Sequence, residues 1–79
     1  MIQAIVLVAQ NPKSFEGKPY VMSIETFDSP DNTTVLGEYQ DENEALSTLR
    51  VEKELKEVGD KETKYTLHHA FVTLTGDIQ

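Results

Sequence analysis

The chain has 79 residues, with 14 acidic against 7 basic side chains, which gives a formal net charge of −7. It contains no cysteine, which excludes a disulfide framework, a thiolate zinc site and a cysteine nucleophile. The acidic balance argues against direct nucleic-acid binding, because phosphate contacts need clustered Lys and Arg. No apolar run approaches the roughly 18 residues that a membrane span needs, and the N-terminal stretch lacks the basic start of a signal peptide. We therefore expect a single small domain over residues 1–79, in the cytoplasm, or in the host cytoplasm if the protein is viral.

Three strands are predicted in the first half of the chain. The stretch from Ile2 to Ala9 is β-branched and apolar at almost every position, and a strand that is apolar on both faces is normally central and covered on both sides. The stretch from Tyr20 to Phe27 alternates. One of its faces would carry Tyr20, Met22 and Ile24, and the other Ser23 and Glu25. A turn from Ser29 to Asn32 then leads to a short third strand from Val35 to Tyr39.

A helix and a last strand are predicted in the second half. Asp41 followed by Glu44 resembles a capping box at a helix start, and Gly59 is the expected C-terminal stop. The stretch from Lys64 to Leu74 is rich in aromatic and β-branched residues, which favour a strand. The expected fold class is α+β, with an antiparallel or mixed four-stranded sheet, one helix on one face, and the order β-β-β-α-β.

The helix has two apolar arcs, whose centres lie about 160° apart at 100° per residue. The first arc consists of Ala45, Leu46 and Leu49. The second, spaced i, i+4, i+7, consists of Val51, Leu55 and Val58. Two interpretations are open. In the first, the helix bends near Arg50, or Val51 and Val58 are scattered surface residues, which are ordinary. In the second, one arc packs on the sheet and the other on a partner, most simply a second copy of the chain.

The sheet raises the same question, because one helix covers only one of its faces. The predicted interface residues are Val51, Leu55 and Val58 on the helix, with Ile5 and Leu7 on the bare sheet face. Substitution Leu55→Asp is expected to weaken self-association while the monomer stays folded. If it unfolds the chain, the roles of the two arcs are reversed.

No motif in the sequence points to catalysis. His68 and His69 are adjacent in a strand, so their side chains point to opposite faces and cannot share one metal. The four glycines are spread evenly and form no phosphate-binding cluster. We expect no enzyme activity and no catalytic, cofactor-binding or metal-binding residues.

Three hypotheses for function remain. Residues 41–62 hold eight acids and four bases, and such a negative face can steer the protein to a basic partner. The favoured hypothesis is a non-catalytic protein-binding module, homodimeric, that acts by occupying a partner, as phage inhibitors of host nucleic-acid-handling proteins do. The second is an accessory or structural subunit of a larger assembly. The third is a small ligand binder or enzyme with a site at a dimer seam, built from Tyr20, Tyr39, Tyr65, His68 or His69.

Overall fold

The computed structural model describes residues 2–27 and 41–72. Within these ranges, strand β1 spans Ile2–Gln10, strand β2 spans Tyr20–Phe27, helix α1 spans Glu42–Gly59 and strand β3 spans Lys64–Val72. The three strands form one antiparallel sheet, and helix α1 packs on it. A short 3-10 helix, Phe15–Gly17, lies between β1 and β2. The predicted α+β class is therefore confirmed for the described residues.

The remaining predicted element lies outside the described residues. This is the strand expected from Val35 to Tyr39, together with the turn before it. In the part of the chain that the structure describes, the order of elements is β-β-α-β.

Strand β1 lies at the centre of the sheet, whose strand order is β2-β1-β3. This confirms the central position predicted from its apolar residues on both faces. Because β2 and β3 are both antiparallel to β1, they run in the same direction, and helix α1 lies between them in the chain. No helix in the described ranges is both long enough and apolar enough to cross a membrane.

The core lies between β1 and the helix. It contains two residues that the sequence pattern predicts for the opposite, bare face of the sheet. Ile5 and Leu7 were predicted for the bare sheet face, but they are 4% and 0% exposed and pack in one cluster with Ala45 and Leu49 of the helix. That prediction is wrong. Strand β1 is apolar on both faces, so strand alternation alone does not indicate which face the helix covers.

A β-bulge in β2 changes the faces of that strand. In the ladder to β1, Leu7 pairs with Ser23 but Val8 pairs with Val21, so Met22 is an extra residue on β2. A bulge of this kind shifts the alternation by one residue, and side chains on either side of it change faces relative to a regular strand.

The bulge explains why one predicted face of β2 is wrong. Tyr20 and Met22 pack against the core, as expected, but Ile24 is 46% exposed and is opposite Val6 on the other face. Ser23, instead of Ile24, lies on the helix side of the sheet. There the Ser23 hydroxyl donates a hydrogen bond of 2.5 Å to the carboxylate of Glu52.

The helix begins and ends where its sequence predicts. The carboxylate of Asp41 accepts a hydrogen bond of 2.9 Å from the backbone N–H of Glu44, and the Glu44 carboxylate accepts one of 3.1 Å from the backbone N–H of Asp41. This reciprocal pair is the capping box, and it satisfies two N–H groups that have no partner within the helix. The helix ends at Gly59.

Candidate interaction surfaces

The second apolar arc of the helix faces solvent. Val51, Leu55 and Val58 are 58%, 70% and 75% exposed, whereas Ala45 and Leu49 of the first arc are fully buried. The two arcs lie on one uninterrupted helix, so no bend is required to account for them. We call Val51, Leu55 and Val58 the helix stripe. Their role in an interface remains a prediction.

Acidic side chains flank the helix stripe. Glu54 follows Val51 by three positions and precedes Val58 by four, and both spacings place it beside the stripe on the same helix face. Glu44 precedes Val51 by two full turns, so it extends the same face towards the helix start. Both carboxylates are exposed. The stripe is therefore an apolar patch with negative charge beside it.

One basic residue of the helix is already occupied by an ion pair. The ammonium of Lys53 lies 2.9 Å from the carboxylate of Glu57, one turn further on, and both side chains are partly covered. Arg50 is exposed at the side of the stripe, so the face is predominantly acidic but not purely so.

The second surface is the side of the sheet away from the helix, which we call the sheet face. According to the strand register, it is formed by Ile2, Ala4, Val6, Val8, Gln10, Val21, Ile24, Thr26, Lys64, Thr66, His68, Ala70 and Val72. Ala4 and Val6 at its centre are buried, while Val21 and Ile24 are 59% and 46% exposed. No helix or strand of the described ranges packs on it.

Among the described residues the sheet face carries no acidic side chain, and its basic side chains are His68 and, at the end of the sheet opposite Gln10, Lys64. A shallow groove of about 370 Å³ crosses the face, and its lining includes Val6, Val8, Val21 and His68. The described part of the sheet face is thus largely apolar and carries no negative charge, on a chain whose net charge is −7.

The two histidines lie on opposite faces of the sheet, as predicted. His68 is paired with Val6, lies on the sheet face, and has a ring nitrogen 2.8 Å from the hydroxyl of Thr66. His69 lies on the helix side, where its ring stacks on Phe27 with 5.7 Å between the ring centres. Within the described ranges no group of three or more His, Asp or Glu side chains is placed to hold a metal ion.

The loop between β1 and β2 has an unusual backbone. Phe15, Glu16 and Gly17 all have positive φ values, of 51°, 58° and 79°. Glycine adopts this region freely, but for Phe15 and Glu16 steric clashes make it unfavourable by about 1–2 kcal/mol each. The Phe15 ring is 65% exposed and lies against Tyr20, with 4.3 Å between the ring centres. The sequence signalled a loop here, but not this conformation.

A hydrogen-bond network joins the end of β1 to the turn after the helix. The Asn11 side-chain amide donates to the hydroxyl of Thr63 at 2.8 Å, and that hydroxyl donates to the carboxylate of Asp60 at 2.5 Å. The carboxylate also accepts the backbone N–H groups of Glu62 and Thr63, at 3.0 and 3.2 Å. The Thr63 hydroxyl is the largest cause of a lowered pKa for Asp60, because each donor favours the ionised carboxylate. This network has a structural role, since it fixes the turn that leads into β3.

The chain matches no protein-family model, no curated protein and no solved structure.

Proposed function

We propose that the protein is a small, acidic, non-catalytic protein-binding module of the cytoplasm, homodimeric, that acts by occupying a partner protein. The observation that carries this proposal is the presence of two apolar surfaces on opposite sides of the described structure. The helix stripe faces solvent on one side, and Val21 and Ile24 are exposed on the other. Exposed apolar patches with polar surroundings are typical of protein interaction sites.

The helix stripe is the surface that we assign to the partner protein. Three apolar side chains at i, i+4 and i+7 fit an apolar groove, which is the usual way in which a helix docks on another protein. The neighbouring carboxylates of Glu44 and Glu54 favour a groove with Lys and Arg at its rim. A partner that handles nucleic acid has such basic grooves, which supports the more specific hypothesis of an inhibitor that competes with the phosphate backbone.

Direct binding to a captured partner tests this proposal. The partner is isolated on the immobilised protein at low salt, purified, and titrated by calorimetry with the wild type and with Leu55→Asp. We expect Leu55→Asp to weaken binding by about 100-fold, because it places a charge at the centre of an apolar contact. Rising salt is expected to weaken wild-type binding as well, because charges at the rim are screened.

The matched control is Asn43→Asp. It adds the same single charge to the same helix, and it lies 12 positions before Leu55 in the chain, or about 18 Å along the axis. It should leave partner binding unchanged. Equal loss with both variants would show that total charge, rather than the helix stripe, determines binding. Recovery of nothing but the protein itself, at every salt concentration, would contradict the proposed function.

A second candidate function is favoured by the groove on the sheet face. Its volume of about 370 Å³ is within the range of small-molecule sites, and the polar side chains in its otherwise apolar lining are Tyr20 and His68. A small apolar ligand would suit it. A thermal-shift screen of apolar compounds tests this candidate: stabilisation of the wild type that is lost in His68→Ala supports it, and the absence of any stabilising compound counts against it.

A further inference from the structure

We infer that the sheet face binds the sheet face of a second copy of this chain, so that the dimer has four layers: helix, sheet, sheet, helix. This inference rests on the homodimer in the proposed function and assigns its interface. The sequence alone suggested the helix stripe for self-association. The distribution of charge in the structure favours the sheet face instead.

The charge argument compares the two possible interfaces. Residues 41–62 carry eight acids against four bases, and most of them lie on helix α1. A dimer through the helix stripes would bring two such helices, with Glu54 of each copy, into contact. Like charges at this distance repel one another, and the attraction of apolar contacts must exceed that repulsion.

A dimer through the sheet faces avoids this repulsion. Adjacent layers in proteins are spaced by about 10 Å, so three spacings place the two helix axes about 30 Å apart. That distance is several times the Debye length of about 8 Å at physiological salt. Among the described residues, the surfaces that meet carry no acidic side chain, and their basic side chains are His68 and, at the end of the sheet, Lys64.

The size of the sheet face sets the expected strength of the dimer. Three strands of about nine residues, at about 4.8 Å between strands and 3.3 Å per residue, cover roughly 430 Å² in projection. Two copies therefore bury roughly 860 Å² in projection, which is below the about 1,200 Å² at which stable specific interfaces begin. An interface of this size is typical of weak, transient association rather than of a permanent dimer.

Such an interface is self-complementary. In a twofold dimer, if residue i of one copy meets residue j of the other, then residue j of the first meets residue i of the second. Apolar side chains satisfy this condition without any pairing of charges. The dimer also leaves both helix stripes facing outwards, so each copy keeps a free surface for a partner protein.

The test is sedimentation velocity over a wide range of concentrations, with matched variants on the two surfaces. Ile24→Glu and Val21→Glu place a carboxylate on the sheet face, and Leu55→Glu places the same carboxylate on the helix stripe. All three residues are substantially exposed, so the monomer should stay folded, which circular dichroism and thermal melting verify for each variant. We expect the two sheet-face variants to weaken dimerisation by at least about 100-fold, and Leu55→Glu to leave it unchanged.

The outcomes separate this inference from the proposed function. A wild type that dimerises, but is dissociated by Leu55→Glu and not by the sheet-face variants, would overturn the assignment of the sheet face and leave the homodimer intact. A wild type that stays monomeric at every concentration would overturn both this inference and the homodimer. Binding of a partner protein is measured independently with Leu55→Asp, so neither outcome for the dimer decides the proposal of a partner-binding helix stripe.

Discussion

Leu49 and Leu55 lie on the same helix six positions apart, and truncating each to alanine measures what burial contributes at the two sites. Leu49 is fully buried between the helix and the sheet, while Leu55 is 70% exposed. Both substitutions change helix propensity equally, so the difference between them reflects packing alone. A buried Leu→Ala change costs about 2–5 kcal/mol, because it removes apolar contacts and leaves a cavity. At Leu55 about a third of the side chain is covered, which at about 2 kcal/mol for full burial gives a cost near 0.6 kcal/mol.

These magnitudes are large relative to the total stability of so small a chain. For 79 residues the free energy of unfolding is expected to be about 4–12 kcal/mol. At about 4–8 °C per kcal/mol, Leu49→Ala should therefore lower the melting temperature by about 8–40 °C, and Leu55→Ala by only a few degrees. Urea unfolding followed by circular dichroism, at a concentration where the protein is monomeric, gives both values. Equal destabilisation by the two substitutions, or a loss below about 1 kcal/mol at Leu49, would refute the assignment of the two arcs.

The remaining predictions concern the loop and the turn. Gly17→Ala should destabilise the protein by about 1–2 kcal/mol, because alanine is strained at positive φ; the nearest atoms to an added Cβ are 3.9 Å away, so crowding is not the cause. Glu16→Asn should stabilise it by several tenths of a kcal/mol to about 1 kcal/mol in the same urea assay, since Asn tolerates this region better than Glu; a loss of stability would contradict the loop conformation. Because the pKa of Asp60 is lowered in the folded state, its contribution to stability is fully present above the unfolded-state pKa of about 3.9 and is lost as the pH falls through the lower folded-state pKa. Asp60→Asn should therefore flatten the pH dependence of stability below about pH 4. An unchanged pH dependence in that range would refute this prediction. Thr63→Val should cost about 1–3 kcal/mol, because it removes the hydroxyl that bonds both to Asp60 and to Asn11, and it should raise the pKa of Asp60 in a carboxyl NMR titration.

Local sequence signals predicted the helix and its cap correctly because the groups involved are close in the chain. Asp41 and Glu44 bond each other across three residues, and such a contact can be read from spacing alone. The central position of β1 followed from a composition that is apolar on both faces. The exposure of the helix stripe fits both interpretations that the sequence leaves open, scattered surface residues or an arc that packs on a partner, and it only removes the need for a bend.

The errors arose where the outcome depends on long-range packing. Which face of β1 the helix covers is decided by contacts with residues about 40 positions away, such as those of Ile5 and Leu7 with Leu49. The bulge at Met22 is a second case. Nothing in the sequence of β2 marks it, yet it places Val21 and Ile24 on the same face and so creates the most exposed apolar part of the sheet face. No short-range signal could have identified that surface.

The central claim is that a second copy covers the sheet face, and isotope-filtered NOE spectroscopy on a mixture of labelled and unlabelled protein tests it most directly. Only contacts between copies give signals in that experiment. We predict intermolecular signals from the methyl groups of Val21 and Ile24, and none from those of Leu55 and Val58. Signals confined to the methyl groups of the helix stripe would contradict the claim.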